Sequence, residues 1–117
     1  MKILAIDDSK FQMKQIHRTL TGAGYDVVSG LNGEEGLALA KEHKPDLIIT
    51  DLLMPVLDGF GFVEQFRKDD QETPIIVLTA DIQETTAKRL EEMGITALVN
   101  KPLSKDPFLN LVKETLN

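Results

Sequence analysis

Short apolar segments alternate with longer amphipathic segments from one end of the chain to the other, five of each. The apolar segments are rich in β-branched residues and flanked by turn-forming residues, a pattern typical of strands that are buried on both faces. The predicted strands are Ile3–Ile6, Asp26–Val28, Leu47–Thr50, Ile75–Thr79 and Ala97–Val99.

The segments that follow the strands have helical spacing. In the first, Met13, Ile16 and Leu20 fall on one face. Capping residues and helix breakers predict the helix ends. The first helix ends at Gly22-Ala23-Gly24, the second runs between Asn32-Gly33 and Lys44-Pro45, and the third starts near Asp58. The fourth runs from about Gln83 to Met93, and the last follows Ser104-Lys105-Asp106-Pro107, with Asp106 as its cap and Pro107 in its first turn.

A helix in every connection rules out hairpins between consecutive strands, because antiparallel neighbours are joined by short turns. We therefore predict an α/β fold with a single five-stranded parallel sheet, right-handed crossovers and helices on both faces. The length of 117 residues fits one compact domain, to which we assign residues 1–117.

Composition excludes several classes of protein. Apolar residues make up 42% and charged residues 27%, close to the globular average, which disfavours disordered, collagen-like and coiled-coil chains. No apolar stretch approaches the ~18 residues of a membrane helix, and early acids interrupt any secretory signal. The absence of cysteine excludes disulfides and thiolate chemistry and is compatible with the cytosol. A formal charge of −6 disfavours direct nucleic-acid binding.

Polar residues follow four of the predicted strands. Asp7 and Asp8 come after the first, Asp51 after the third, Thr79 ends the fourth, and Lys101 follows the fifth. Since parallel sheets carry their sites at the carboxyl ends of strands, we expect three carboxylates, one hydroxyl and one ammonium group at one edge.

Clustered carboxylates repel one another, and a divalent cation removes that repulsion. Oxygen ligands without histidine or cysteine favour a hard ion, and so small a ligand set favours Mg²⁺ over Ca²⁺. With a lysine and a hydroxyl beside one carboxylate, the arrangement suits phosphoryl transfer onto an aspartate.

Four motifs carry a resemblance to a known family: Ile6-Asp7-Asp8-Ser9, Asp51 to Gly59 (DLLMPVLDG), Leu78-Thr79-Ala80, and Asn100-Lys101-Pro102-Leu103. Over essentially the whole chain, the sequence resembles the receiver domain of bacterial two-component response regulators, especially the single-domain, chemotaxis-type members. The resemblance implies a flavodoxin-like (βα)5 fold with strand order 2-1-3-4-5.

The resemblance also implies roles for individual residues. Asp51 would be the nucleophile that accepts a phosphoryl group from a phosphohistidine. Mg²⁺ would be held by Asp8 directly, by Asp7 through water, by Asp51 itself, and by the backbone carbonyl of Leu53.

The remaining implied roles concern the phosphoryl oxygens. Lys101 would pair with one oxygen and Thr79 would move inward to bond another, with the N–H groups of Leu53 and Ala80 as further donors. Family members usually have a cis peptide before the proline that corresponds to Pro102.

As a whole, the resemblance implies a signalling switch and not an enzyme, apart from its own phosphorylation and slow dephosphorylation. Its phosphoryl donor would be a sensor histidine kinase or a phosphotransfer protein. Since no DNA-binding module follows in the sequence, we expect output through a downstream protein that binds the face formed by the fourth helix, fifth strand and last helix. We also expect a cytoplasmic monomer that binds no membrane.

Two residues depart from the family pattern. Leu98 occupies a position that is commonly aromatic and that rotates inward when the threonine moves, so the usual aromatic gate is in doubt. Leu53, two residues after Asp51, stands where many relatives have a polar side chain. An apolar group there would exclude the attacking water, and we therefore expect slow loss of the phosphoryl group.

Three other interpretations compete for parts of the sequence. A Mg²⁺-dependent phosphohydrolase with an aspartyl-phosphate intermediate needs a general acid two residues after the nucleophile, where Leu53 stands. A nucleotide or flavin module needs a glycine-rich phosphate loop, and neither GxGxxG nor GxxxxGK[ST] occurs. The third is a receiver domain cut from a larger regulator.

Overall fold

Five strands and five helices alternate in the computed structural model, which describes residues 1–80 and 83–117. The elements, in chain order, are β1 (Lys2–Ile6), α1 (Lys10–Gly22), β2 (Asp26–Gly30), α2 (Gly33–His43), β3 (Leu47–Asp51), α3 (Gly59–Asp69), β4 (Ile75–Thr79), α4 (Glu84–Glu92), β5 (Ala97–Asn100) and α5 (Lys105–Leu116).

All strands pair in parallel, in the order β2-β1-β3-β4-β5. The predicted fold class and strand order are therefore confirmed. Because β1 lies between β2 and β3, the residues that follow β1 are direct neighbours of the end of β3. The strand order thus brings the first and third acidic segments of the sequence to the same place.

The two faces of the sheet are covered by separate hydrophobic clusters. Alternate strand residues such as Ile3 and Ala5 pack under α1 and α5, whereas Leu4 and Ile6 pack under α2, α3 and α4. β3 and β4 are buried along their whole length, which explains their nearly continuous apolar sequence. The buried central strands hold the residues at their carboxyl ends in fixed positions.

Helix capping agrees with the sequence pattern except in α5. The side chains of Ser9, Asn32 and Asp58 accept hydrogen bonds from the first turns of α1, α2 and α3. In α5 the N-cap is Ser104 and the helix begins at Lys105, so the prediction that Asp106 caps this helix is wrong. Asp106 lies inside the first turn, where a carboxylate favours the positive end of the helix dipole.

The loop between β3 and α3 is held tightly against the strand end. The Gly59 N–H donates to the carbonyl of Leu52 at 2.8 Å, and a Cβ at Gly59 would lie 2.6 Å from the carbonyl oxygen of Asp51. Only glycine permits this approach. Within the loop, the Leu57 N–H donates to the Pro55 carbonyl, closing a γ-turn centred on Val56, whose φ is 68°.

No helix in the described ranges is both long enough and apolar enough to cross a membrane.

Candidate functional site: an acidic pocket at the carboxyl edge of the sheet

Three carboxylates meet where β1 and β3 end. Asp7, Asp8 and Asp51 each offer one oxygen, and these oxygens lie within 4.8 Å of one another. Asp7 is completely buried, Asp51 is 8% exposed, and Asp8 is exposed to solvent. The sequence analysis predicted this cluster, but it did not distinguish the buried member of the pair from the exposed one.

Backbone hydrogen bonds fix the orientation of Asp7. Its Oδ1 accepts the N–H of Ser9 at 2.9 Å, and the hydroxyl of Ser9 in turn accepts the N–H of Gln12 at the start of α1. The other oxygen, Oδ2, is buried and has no hydrogen-bond partner in the described part of the chain. It lies 3.5 Å from the Lys101 ammonium, with which it forms an ion pair.

Burial raises the pKa of Asp7 above its ordinary value of 3.8, and the nearby charge of Asp51 raises it further. The hydrogen bond from Ser9 and the charge of Lys101 act in the opposite direction but do not cancel the burial. Without a cation, the ionised form of Asp7 is therefore disfavoured in the folded protein.

Lys101 joins the two buried carboxylates. Its ammonium lies 3.0 Å from Asp51 Oδ1 as well as 3.5 Å from Asp7 Oδ2. Asp51 Oδ1 also accepts the N–H of Leu52 at 2.9 Å. Two donors thus converge on one oxygen of Asp51 and hold its carboxylate in a fixed orientation.

Thr79 lies beside this group at the end of β4. It is 2% exposed, and its carbonyl accepts the N–H of Lys101 at 2.9 Å, which ties the ends of β4 and β5 together. The peptide between Lys101 and Pro102 is cis, as the resemblance implied.

The structure places the two backbone positions of the predicted site next to strand ends. Leu53 follows Asp51 by two residues and its side chain is 71% exposed. Ala80 follows Thr79 and is also exposed. Their roles as a metal-ligating carbonyl and as N–H donors remain predictions.

Leu98 lies in the middle of β5, opposite Val77 of β4. Its side chain is partly buried and packs against the hydrophobic cluster beneath α2, α3 and α4. An aliphatic side chain at this position supplies packing and has no polar end.

The residues of the pocket fit a divalent cation. Three carboxylates and one ammonium leave a formal charge of −3 + 1 = −2, which one such ion cancels. The buried Asp7 Oδ2 without a hydrogen-bond partner is an oxygen that a metal or its bound water would satisfy. The all-oxygen donor set matches the preference of Mg²⁺.

A sequence model described as the response regulator receiver domain matches residues 3–113 of the chain. The chain belongs to this family. Receiver domains are signalling proteins of two-component systems and not classical enzymes; they typically bind Mg²⁺ in an acidic pocket and interact with histidine kinases and downstream proteins.

Similar proteins match this receiver domain from end to end. The protein PilH of Pseudomonas aeruginosa is 32% identical over 117 residues, which cover 98% of this chain and 97% of that protein. The structure of the chemotaxis response regulator CheY4 of Vibrio cholerae superimposes with a TM-score of 0.92 at 34% identity, over 98% of both chains. The CheX-CheY-BeF3-Mg²⁺ complex of Borrelia burgdorferi gives 0.95 at 26% identity, over 100% of this chain and 90% of that one.

Replacing Asp7 by asparagine should stabilise the metal-free receiver domain at pH 7. The raised pKa means that the folded state binds this proton more tightly than the unfolded state. The stabilisation from the neutral carboxyl is complete below pH 3.8 and is lost as the pH rises through the higher folded pKa. Asparagine keeps the neutral form at every pH, so the free energy of unfolding, measured by urea denaturation with EDTA, should rise by on the order of 1 kcal/mol.

Asp8→Asn is the matched control, because Asp8 is exposed. It should leave the metal-free stability nearly unchanged. Both variants should lose the increase in melting temperature that Mg²⁺ gives the wild type. An Asp7→Asn protein less stable than wild type without metal would contradict this description of the pocket.

Proposed function

We propose that this receiver domain is a phosphorylation switch in which Asp51 accepts a phosphoryl group from a phosphohistidine of a sensor kinase or phosphotransfer protein. The observation that supports the proposal best is the carboxylate of Asp51, held by Lys101 at 3.0 Å beside two further aspartates. The proposal treats residues 1–117 as one domain that acts in the cytoplasm as a monomer.

In the proposed reaction an oxygen of Asp51 attacks phosphorus. The P–N bond to the histidine breaks, its electron pair stays on the imidazole nitrogen, and an acyl phosphate forms. Because Leu52 and Lys101 both bond to Oδ1, we assign the attack to Oδ2. Fixing one oxygen orients the other toward the donor, so the carboxylate loses little conformational entropy when it reacts.

The other residues stabilise charge on the transferred group. The ammonium of Lys101 would move to bind a phosphoryl oxygen, which would weaken the ion pair between Lys101 and Asp7. The buried Thr79 would donate a hydrogen bond from its hydroxyl to a second phosphoryl oxygen. The N–H groups of Leu53 and Ala80 would serve as additional donors. Mg²⁺, held by Asp7, Asp8, Asp51 and the carbonyl of Leu53, would supply positive charge for the phosphoryl oxygens.

A protein donor is supported by the apolar surface around the pocket. The large hydrophobic side chains that are exposed include Phe11 (79%), Leu31 (42%), Leu53 (71%) and Val56 (75%). Each of these four follows the carboxyl end of β1, β2 or β3 within a few residues. Exposed apolar side chains gathered around a reactive group favour a protein partner that covers the group during the reaction.

The signal would leave through the face formed by α4, β5 and α5. β5 is an edge strand whose residues Ala97 to Val99 are only partly buried. In the chain it lies between α4 and α5. Charge added at Asp51 would draw Thr79 and Lys101 inward, and both are continuous in sequence with this face.

Labelling with a small phosphoryl donor tests the proposed acceptor. Incubation with acetyl phosphate and Mg²⁺ should add one phosphoryl group to the intact protein, and reduction with borohydride followed by peptide mapping should locate it at Asp51. Asp51→Asn should abolish the added mass. Asp26→Asn, which changes an exposed aspartate at the opposite end of β2, should label as wild type does. No labelling of wild type, under conditions in which another receiver domain is labelled, would refute the proposed function.

Leu53→Asn should accelerate the loss of the phosphoryl group. An exposed apolar side chain two residues after the acceptor offers water no hydrogen bond, whereas an amide would orient the attacking water. We expect the first-order rate of dephosphorylation, followed by intact mass after the donor is removed, to rise about tenfold, which corresponds to ~1.4 kcal/mol of transition-state stabilisation.

Val56→Asn is the control for this experiment. It makes the same kind of change in the same loop, at a residue equally exposed but five positions from Asp51. Its rate should stay within about twofold of wild type. A Leu53→Asn protein that dephosphorylates no faster than wild type would show that the apolar side chain does not slow the reaction.

A further inference from the structure

Helix α4 buries few of its side chains. Of its residues Glu84–Glu92, Leu90 is the one that is buried. A helix with one buried anchor is a segment of low local stability, so single contacts with its neighbours have a large share in its position.

One such contact is the stack of Arg89 on Phe60. The guanidinium carbon lies 4.0 Å from the centroid of the Phe60 ring, well within the range of a cation–π interaction. Helical side chains lean toward the N-terminus of their helix, so Arg89 extends along α4 toward the carboxyl edge of the sheet and meets the first turn of α3.

The first turn of α3 is joined to the phosphoacceptor strand. Gly59, which directly precedes Phe60, donates its N–H to Leu52 at 2.8 Å and approaches the carbonyl of Asp51 too closely for any Cβ. A shift in the backbone around Asp51 therefore moves the turn that carries the Phe60 ring.

A second arginine joins α3 to the segment just beyond the C-terminal end of α4. Arg67 of α3 donates from Nε and Nη2 to the carbonyl of Gly94, at 3.2 and 2.9 Å, and from Nη1 to the carbonyl of Asp70 at 3.2 Å. These bonds to backbone fix the C-terminal end of α4 against α3. Arg89 itself lies in the last turn of α4, and its stack on Phe60 has no fixed hydrogen-bond geometry.

We propose that the stack of Arg89 on Phe60 couples α4 to the end of β3, so that the position of α4 responds to the state of Asp51. This coupling needs no aromatic residue in β5, where this chain has Leu98. This inference rests on the proposed function and adds a route of regulation to it. Phosphorylation moves the strand end, Gly59 and Phe60 move with it, and Arg89 transmits the movement to α4.

Amide hydrogen exchange of α4, with and without Mg²⁺ and beryllofluoride, tests the coupling. Wild type should show a change in exchange across Glu84–Glu92 when beryllofluoride binds. In Arg89→Gln, exchange in α4 of the free protein should become about fivefold faster, the factor given by loss of a cation–π contact of ordinary strength. The change caused by beryllofluoride should disappear from α4 but remain around Asp51.

Three further proteins make the result specific. Lys88→Gln removes the same charge one residue away at an exposed position and should behave as wild type. Arg89→Lys keeps a cation over the ring and should retain more of the change in α4 exchange caused by beryllofluoride than Arg89→Gln does. Phe60→Leu should reproduce Arg89→Gln, and combining the two should add no further effect.

The outcomes separate this inference from the proposed function. Failure of wild type to bind beryllofluoride would refute both. Normal binding around Asp51, with Arg89→Gln indistinguishable from Lys88→Gln in α4, would refute the coupling alone. Arg89 is exposed, so the decisive variant should fold normally.

Discussion

Three carboxylates that offer oxygens within 4.8 Å of one another, one of them completely buried, require positive charge close by. In this receiver domain Lys101 supplies part of it, at 3.0 Å from Asp51 and 3.5 Å from Asp7. One ammonium cannot neutralise three carboxylates. The shortage of positive charge is greatest at Asp7, whose pKa is raised and whose Oδ2 has no hydrogen-bond partner among the described residues. In the proposed function, the same shortage favours the binding of a divalent cation and, with it, of a phosphoryl group.

The rest of the fold serves to keep these charges together. The order of the strands makes β1 and β3 neighbours, and burial of β3 and β4 along their whole length prevents the strand ends from separating. Gly59 then fixes the loop after Asp51 against the strand. Because the carboxylates cannot move apart, their mutual repulsion can be reduced only by binding a cation or a proton.

Much of this arrangement was predictable from the sequence. Strands with nearly continuous apolar residues and a helix in every connection determine a parallel sheet, and such a sheet gathers the residues at its carboxyl ends. Asp7, Asp8, Asp51, Thr79 and Lys101 were therefore identified as neighbours from position alone. The motifs around them identified the family, which supplied the strand order.

Contacts between elements distant in sequence were not predictable in the same way. Nothing in the order of residues tells which of Asp7 and Asp8 is buried, because both follow the same strand. The stack of Arg89 on Phe60 and the bonds from Arg67 to Gly94 join α3 to α4 through long side chains whose directions depend on packing. The error at Asp106 has a local origin: Ser104 and Asp106 are both residue types that favour the N-cap, and the helix begins after Ser104, whose side chain makes no capping bond.

The most direct test of the central claim is a crystal structure of the protein grown with Mg²⁺ and beryllofluoride. The account predicts one metal ion bound by the carboxylates of Asp8 and Asp51, beryllofluoride joined to Asp51, and the Lys101 ammonium moved from Asp7 onto a fluorine atom. A metal ion bound elsewhere, or an Asp51 carboxylate that carries no beryllofluoride while Lys101 stays between the two aspartates, would contradict it.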